Sequence, residues 1–236
     1  MKRKGYIINT YKHIIWDWNG TIFNDIQLCV ELINSLLKKR NLPQLTTEQY
    51  RSIFTFPVRD YYAKAGLDLE KYSFEELGKE WMDEYQKRRW EVNLFDQAFL
   101  LLRKNYDHNI EQSILSAYKQ DTLFELIDHF NLRKYFTHLI GLDHIYATSK
   151  LELGKELMSK IKYRKHEVLL IGDTLHDAEV AEEIGADCIL VAEGHQSKEK
   201  LKTRGVIVFD TLKDLALNSQ ITFEGFFIKN YNWVKN

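Results

Sequence analysis

The run Glu167–Ile171 (EVLLI), closed by Gly172 and Asp173, constrains the fold more than any other stretch of the chain. After its first residue it shows no alternation of polar and apolar side chains. A strand with one wet face alternates. A continuous apolar run marks a strand buried on both faces, as in parallel sheets covered by helices. Cys188–Val191 (CILV) repeats the pattern, and His13–Trp16 (HIIW) is a third run, stopping at Asp17. Parallel neighbours cannot be joined by a hairpin, so each pair needs a crossover, usually helical.

The intervening sequence supplies those crossovers. From about Ile26 to Glu91 the periodicity is helical, with Cys29, Leu32, Ile33, Leu36 and Leu37 forming one apolar face. Thr46 and Gln49 have capping-box spacing, and further helices are expected at Val58–Ala65 and Phe74–Trp90. Beyond Leu94, strands are expected at Ser113–Ser116, His138–Leu142, Glu167–Ile171, Asp187–Val191 and Val206–Phe209. Helices are expected between them at Ala98–Lys104, Thr122–Phe130, Leu151–Lys162, Asp177–Ile184 and Ser197–Arg204. The fold class is therefore α/β, a doubly wound parallel sheet with a smaller α-helical unit inserted after the first strand. The expected organisation is a core over residues 12–23 and 92–218, a helical cap over 24–91, and a C-terminal arm over 219–236.

Asn19-Gly20, between apolar neighbours, would ordinarily signal a two-residue hairpin. If His13–Trp16 is a central parallel strand, the same dipeptide becomes a sharp turn just past the strand's carboxyl end. That edge is where doubly wound sheets bind ligands.

A net charge of -1 over 236 residues gives no global field that would draw the chain to nucleic acid or to an anionic membrane. No apolar run reaches the length of a membrane span, and no secretory core follows the basic start MKRKGYIINTYK. A cytoplasmic location is the expectation. Cys29 and Cys188 have no Cys or His partner at metal spacing and are expected to be buried free thiols.

The chemistry gathers at the expected strand ends: Asp17 to Thr21 (DWNGT), Ser116, Lys150, and Asp173 with Asp177. This set suits phosphoryl transfer. A carboxylate can attack phosphorus, hydroxyl and ammonium groups with backbone amides can hold the non-bridging oxygens, and acids at two strand ends can hold Mg2+. Singly, each has a plainer reading. Asp177 could cap the following helix, serines end strands for many reasons, and a lysine at a helix start is usually solvated. Trp16 and Trp18 read as core residues.

In order and spacing these four segments resemble the motifs of the haloacid dehalogenase superfamily, over roughly Lys12 to Leu215. The helical insert resembles the cap of its phosphoglycolate-phosphatase-like members. The resemblance implies a Mg2+-dependent phosphatase acting on a small phosphorylated metabolite through an aspartyl-phosphate. Asp17 would be nucleophile and metal ligand, and Asn19 would supply a backbone carbonyl to the metal. Lys150 would pair with nucleophile and phosphate, with Lys155 the weaker alternative. Ser116, Gly20 and Thr21 would contact phosphate, and Asp173 and Asp177 would complete the metal site.

The departure is Asn19, where family phosphatases usually carry an acid–base aspartate. Asparagine has no titratable proton at neutral pH. Four readings stay open: a slow phosphatase, a replacement donor with His176, His144 and His195 nearest by position, a substrate whose leaving group needs no protonation, or a low-turnover phosphate- or phosphoprotein-binding protein. Two further features could bear on the site, one on the same edge and one, Arg59, on the cap. Glu193–Ser197 follows the fifth strand and reads equally as a site loop or as a helix start capped by Ser197. Arg59 could meet an anionic substrate group or be a solvated helix arginine.

Overall fold

The computed structural model describes residues 11–142 and 150–218. Its strands are β1 (His13–Trp16), β2 (Glu111–Lys119), β3 (His138–Leu142), β4 (Val168–Gly172), β5 (Asp187–Val191) and β6 (Ile207–Phe209). All pairings are parallel, in the order β3-β2-β1-β4-β5-β6. The chain order therefore reverses at β1, the doubly wound arrangement expected from the apolar runs. Four helices, α1 (Ile26–Lys39), α2 (Thr47–Ile53), α3 (Val58–Lys64) and α4 (Phe74–Arg88), separate β1 from the rest. The other helices are α5 (Ala98–Asp107), α6 (Gln120–His129), α7 (Lys150–Lys160), α8 (Leu175–Ile184), α9 (Lys198–Lys202) and α10 (Leu212–Asn218).

The period-two geometry of a strand explains the two covered faces. Ile14 and Trp16 point into one cluster, shared with Leu169, Ile171 and the apolar face of α1. Ile15, between them, points into the opposite cluster with Leu170, Leu157 of α7 and Val180 of α8. Both clusters are buried and apolar, which is why neither β1 nor β4 alternates. Trp16 and Trp18 are fully buried, as expected of core residues.

Local signals set the helix ends. Thr46 Oγ1 accepts from the Gln49 amide at 3.2 Å while Gln49 Oε1 accepts from the Thr46 amide at 2.8 Å, completing the capping box of α2. The stretch expected as helix to Trp90 ends as α4 at Arg88, followed by a 3-10 turn over Arg89–Glu91. β2 is longer than the expected Ser113–Ser116. Its polar Gln112 is buried, accepting from the Trp16 indole and the Asn105 amide at 3.0 Å each, so an apolar run does not mark the strand's start. Cys29 is buried and Cys188 half-buried, and both are free. Among the described residues no helix is long and apolar enough to cross a membrane. His144 and residues 219–236, expected as an arm, lie outside the described residues.

Candidate active site

The register of the sheet brings the first and last acids together. Trp16 stands opposite Ile171 of β4, and the Asp17 amide donates to the Ile171 carbonyl at 2.9 Å. Asp17 thus emerges beside Gly172 and Asp173, on the carboxyl edge of the two central strands. Lys150, the first residue of α7, is buried and bonds Asp17 Oδ1 and, at 2.5 Å, Asp177 Oδ1. Carboxylate oxygens of Asp17, Asp173 and Asp177 lie within 4.8 Å of one another. Thr174, the N-cap of α8, donates its hydroxyl to Asp177 Oδ2 at 2.6 Å and so fixes the acid.

Three buried carboxylates against one ammonium leave this cluster two negative charges in excess when fully ionised. Burial, with repulsion from Asp177 and Asp173, pushes the Asp17 carboxyl up to about 8 against the pull of Lys150. Burial and Asp177 push Asp173 up to about 6, opposed by His195. Asp177 is also buried, but Lys150 and Thr174 outweigh that and hold it below the usual carboxylate range. The excess charge calls for protons or a divalent cation. An all-oxygen donor set of this kind fits Mg2+, a hard cation.

The turn after Asp17 is tight. Gly20 has φ +74°, and a Cβ there would collide with the Asp173 carboxylate and the His195 ring, so glycine is required on both counts. Gly20 and Thr21 are engaged within the protein. The Gly20 amide donates to Phe23 O at 2.9 Å and Asp25 Oδ1 at 3.1 Å, and the Thr21 hydroxyl donates to Asp173 Oδ1 at 3.2 Å. Neither lines the cavity described below.

Asn19 belongs to a second buried network. Its amide donates to Asp25 Oδ2 at 2.8 Å and to Tyr85 Oη at 2.9 Å, and Tyr85 donates to the same Asp25 oxygen at 2.7 Å. His195 Nε2 lies 3.4 Å from Asp25 Oδ1, and its Nδ1 shares a hydrogen bond of 2.8 Å with Tyr50. Burial opposes both charges, yet the pairing prevails: Asp25 is held below, and His195 above, its ordinary range. The His195 amide donates to Asp173 Oδ2 at 2.6 Å, tying the two networks together.

A cavity of about 800 Å³ joins the sheet edge to α2–α4, with Asp17, Asn19, Ser116, Lys150, Asp173 and Asp177 on its floor. Ser116 is buried where β2 leaves its ladder with β3, and its Oγ accepts from the Tyr118 amide at 3.0 Å. His176 and exposed Arg59 also line the cavity, whereas Lys155 pairs with Glu152 on the surface. The Glu193–Ser197 segment does both things expected of it: Ser197 caps α9, and His195 faces the site.

Residues 14–191 match the family model of haloacid dehalogenase-like hydrolases. The chain belongs to this family. The pyrophosphatase PpaX of Listeria monocytogenes is 24% identical to it over 176 residues, 70% of this chain and 76% of that protein. The fold is also that of a predicted phosphoglycolate phosphatase from Haemophilus somnus, with TM-score 0.69 and 17% identity over 89% of this chain and 99% of that one. Protein tyrosine kinase A (PtkA) of Mycobacterium tuberculosis gives TM-score 0.73 and 20% identity over the same shares. The family resemblance carried by the strand-end motifs is thus shown, and with it a hydrolase of phosphatase type.

Asp25, Tyr85, Tyr50 and Thr174 are site residues that sequence reasoning passed over. Asp25 immediately precedes α1, where an acid reads as a helix cap, yet its side chain makes no cap bond. Thr174 and Asp177 carry capping-box spacing, a signal that was available.

Proposed function

We propose that this protein is a Mg2+-dependent phosphatase that hydrolyses a small phosphorylated metabolite through an aspartyl-phosphate on Asp17. The observation that carries the reading is a buried carboxylate paired with a buried lysine, both lining a cavity of about 800 Å³. Asp17 Oδ attacks phosphorus and the ester oxygen departs with the bonding pair. Water then attacks the phosphorus of the acyl-phosphate and frees the carboxylate. Lys150 holds Asp17 in place and meets the non-bridging oxygens, with Ser116 beside it. Mg2+, when bound by the Asp17, Asp173 and Asp177 carboxylates with the Asn19 carbonyl, would neutralise charge on the transferring group. Helices α2–α4 act as a cap that excludes water during the first step. The likeness to a protein named as a pyrophosphatase supports phosphoryl chemistry without fixing the substrate.

Asn19 favours a second reading, a phosphate- or phosphoprotein-binding protein with little turnover. Phosphate release from acetyl phosphate and p-nitrophenyl phosphate, with Mg2+ or with EDTA, separates the two. Turnover should need Mg2+, and Asp17→Asn should lower it at least about a thousandfold, several kcal/mol of barrier, without loss of fold. Binding of inorganic phosphate with no release from either compound would favour the second reading. An Asp17→Asn rate within about tenfold of wild type would remove Asp17 as nucleophile.

A further inference from the structure

Three features of the cavity narrow the class of substrate. The first is the missing proton donor. Asn19 holds no titratable proton, and its amide is spent on Asp25 and Tyr85. Asp25, the carboxylate behind it, is enclosed by the Asn19 amide, the Tyr85 hydroxyl, the Gly20 amide and His195. His195 also faces the cavity, but both its ring nitrogens are engaged, by Asp25 and Tyr50, and His176 lies beside Glu179, so neither Asn19 nor the groups that touch it hold a free proton for an alkoxide as it leaves.

The second feature is the aromatic lining of the cavity, which includes the rings of Phe54, Tyr61, Tyr62, Phe74, Trp81 and Tyr85. A phosphoryl group bearing two or three carbons would leave most of the roughly 800 Å³ unfilled. Tyr61 also carries a buried hydroxyl with no hydrogen-bond partner among the described residues, a group that ordinarily finds one in water or a ligand. The third is Gly78, inside α4 and on the cavity wall. Glycine there weakens a helix, and packing does not demand it, since among the described residues an added Cβ would meet nothing within 4 Å. The space a side chain would enter is that of the cavity.

We propose that the substrate is an aryl phosphate, a phosphomonoester of a phenolic hydroxyl, with its ring seated among the aromatic side chains of α2–α4. This rests on the phosphatase reading above. In the first step the Asp17 oxygen forms a bond to phosphorus and the phosphorus–aryl oxygen bond breaks, the electron pair leaving with the phenolate. A phenol is acidic enough, near 10 for tyrosine, for its anion to depart unaided and take its proton from solvent. Water then attacks the aspartyl-phosphate, its proton passes to solvent, and inorganic phosphate leaves.

The test separates ring from leaving group with three probes: phenyl phosphate has both features, benzyl phosphate only the ring, and acetyl phosphate only the good leaving group. With the Mg2+-loaded protein, kcat/KM for phenyl phosphate should exceed that for benzyl phosphate by about 10²-fold or more, the usual size of the missing acid catalysis. KM for phenyl phosphate should lie well below KM for acetyl phosphate. Gly78→Leu should raise KM for phenyl phosphate about tenfold more than KM for acetyl phosphate, the scale of steric discrimination in an apolar pocket. Its melting temperature, which should not fall, reports that it is folded. If acetyl phosphate is hydrolysed and benzyl phosphate matches phenyl phosphate within about tenfold, another group protonates the leaving oxygen and the proposal is overturned. Equal KM shifts on both probes in Gly78→Leu overturn it as well. Release from none of the three compounds overturns the phosphatase reading, and this proposal with it.

Discussion

Asn19 is explained by its neighbour. A carboxylate at this position would stand 2.8 Å from Asp25 Oδ2, where the amide now donates. Two buried carboxylates at that range cannot both be ionised and would share a proton. Asn19→Asp alone should therefore gain little as an acid–base catalyst and should destabilise the protein by about 1–3 kcal/mol, because Asp25 loses a donor. Exchanging the pair, Asn19→Asp with Asp25→Asn, restores one donor and one acceptor between them. The double variant should hydrolyse benzyl phosphate up to about 10²-fold faster than wild type, with a much smaller gain on phenyl phosphate. The measurement is kcat/KM on both esters with thermal melts of all three proteins. A single variant as active and as stable as the double would mean that Asp25 does not dictate the residue at position 19.

At the scale of elements, strand ends were the legible part. β3 and β5 have the bounds that the apolar runs predict. Asp17, Lys150, Asp173 and Asp177 converge because each directly follows, or lies in the first turn of the helix after, a run readable as a buried strand. What was not legible depends on partners far away in sequence. Gln112 looks like a strand breaker until Trp16 and Asn105 satisfy it inside the core. Asp25 looks like a cap until Tyr85, 60 residues on, and His195 reach it. The turn at Asn19-Gly20 kept its chemistry but not its usual setting, because the strand before it pairs with β2 and β4. The α8 cap is a local element with a functional load, since Thr174 donates to Asp177 as well as capping. Thr174→Ala should lower stability by about 1 kcal/mol, the usual cost of a lost N-cap. It should also weaken Mg2+ binding by roughly tenfold or more, as loss of a ligand's supporting hydrogen bond does. Thr174→Ser should recover both. Calorimetric Mg2+ titration checks this, and unaltered affinity in Thr174→Ala would detach the cap from the metal site.

For the molecule as a whole, the acidic cluster ties stability to pH and to metal. Asp17 and Asp173, pushed up to about 8 and about 6, hold protons in the folded state at pH values where unfolded carboxylates, near 3.8, are ionised. Folding thus takes up protons, and the slope of unfolding free energy against pH is negative wherever the native state binds more of them. Without a divalent cation, the stability these two carboxyls contribute should fall as pH rises from about 4 towards 8 and level off beyond; below about 6.5 it is opposed by His13, whose imidazole burial pushes down to about 4, so the net fall belongs to the range above pH 6.5. From pH 6 to 8.5 the loss should be on the order of 2 kcal/mol, or roughly 4–8 °C in melting temperature for a chain of this size. Metal acts in the opposite sense. It binds the deprotonated carboxylates and only in the folded state, so the rise in melting temperature with Mg2+ should be larger at pH 8.5 than at pH 6. Asp17→Asn removes the higher of the two titrations and one ligand, so the decline in EDTA should become shallower and the Mg2+ shift smaller. Melts at pH 6 and 8.5, in EDTA and in Mg2+, for wild type and Asp17→Asn, test all of these together. A wild-type melting temperature in EDTA that rises between pH 6 and 8.5 would mean that the cluster is already charge-balanced without a cation.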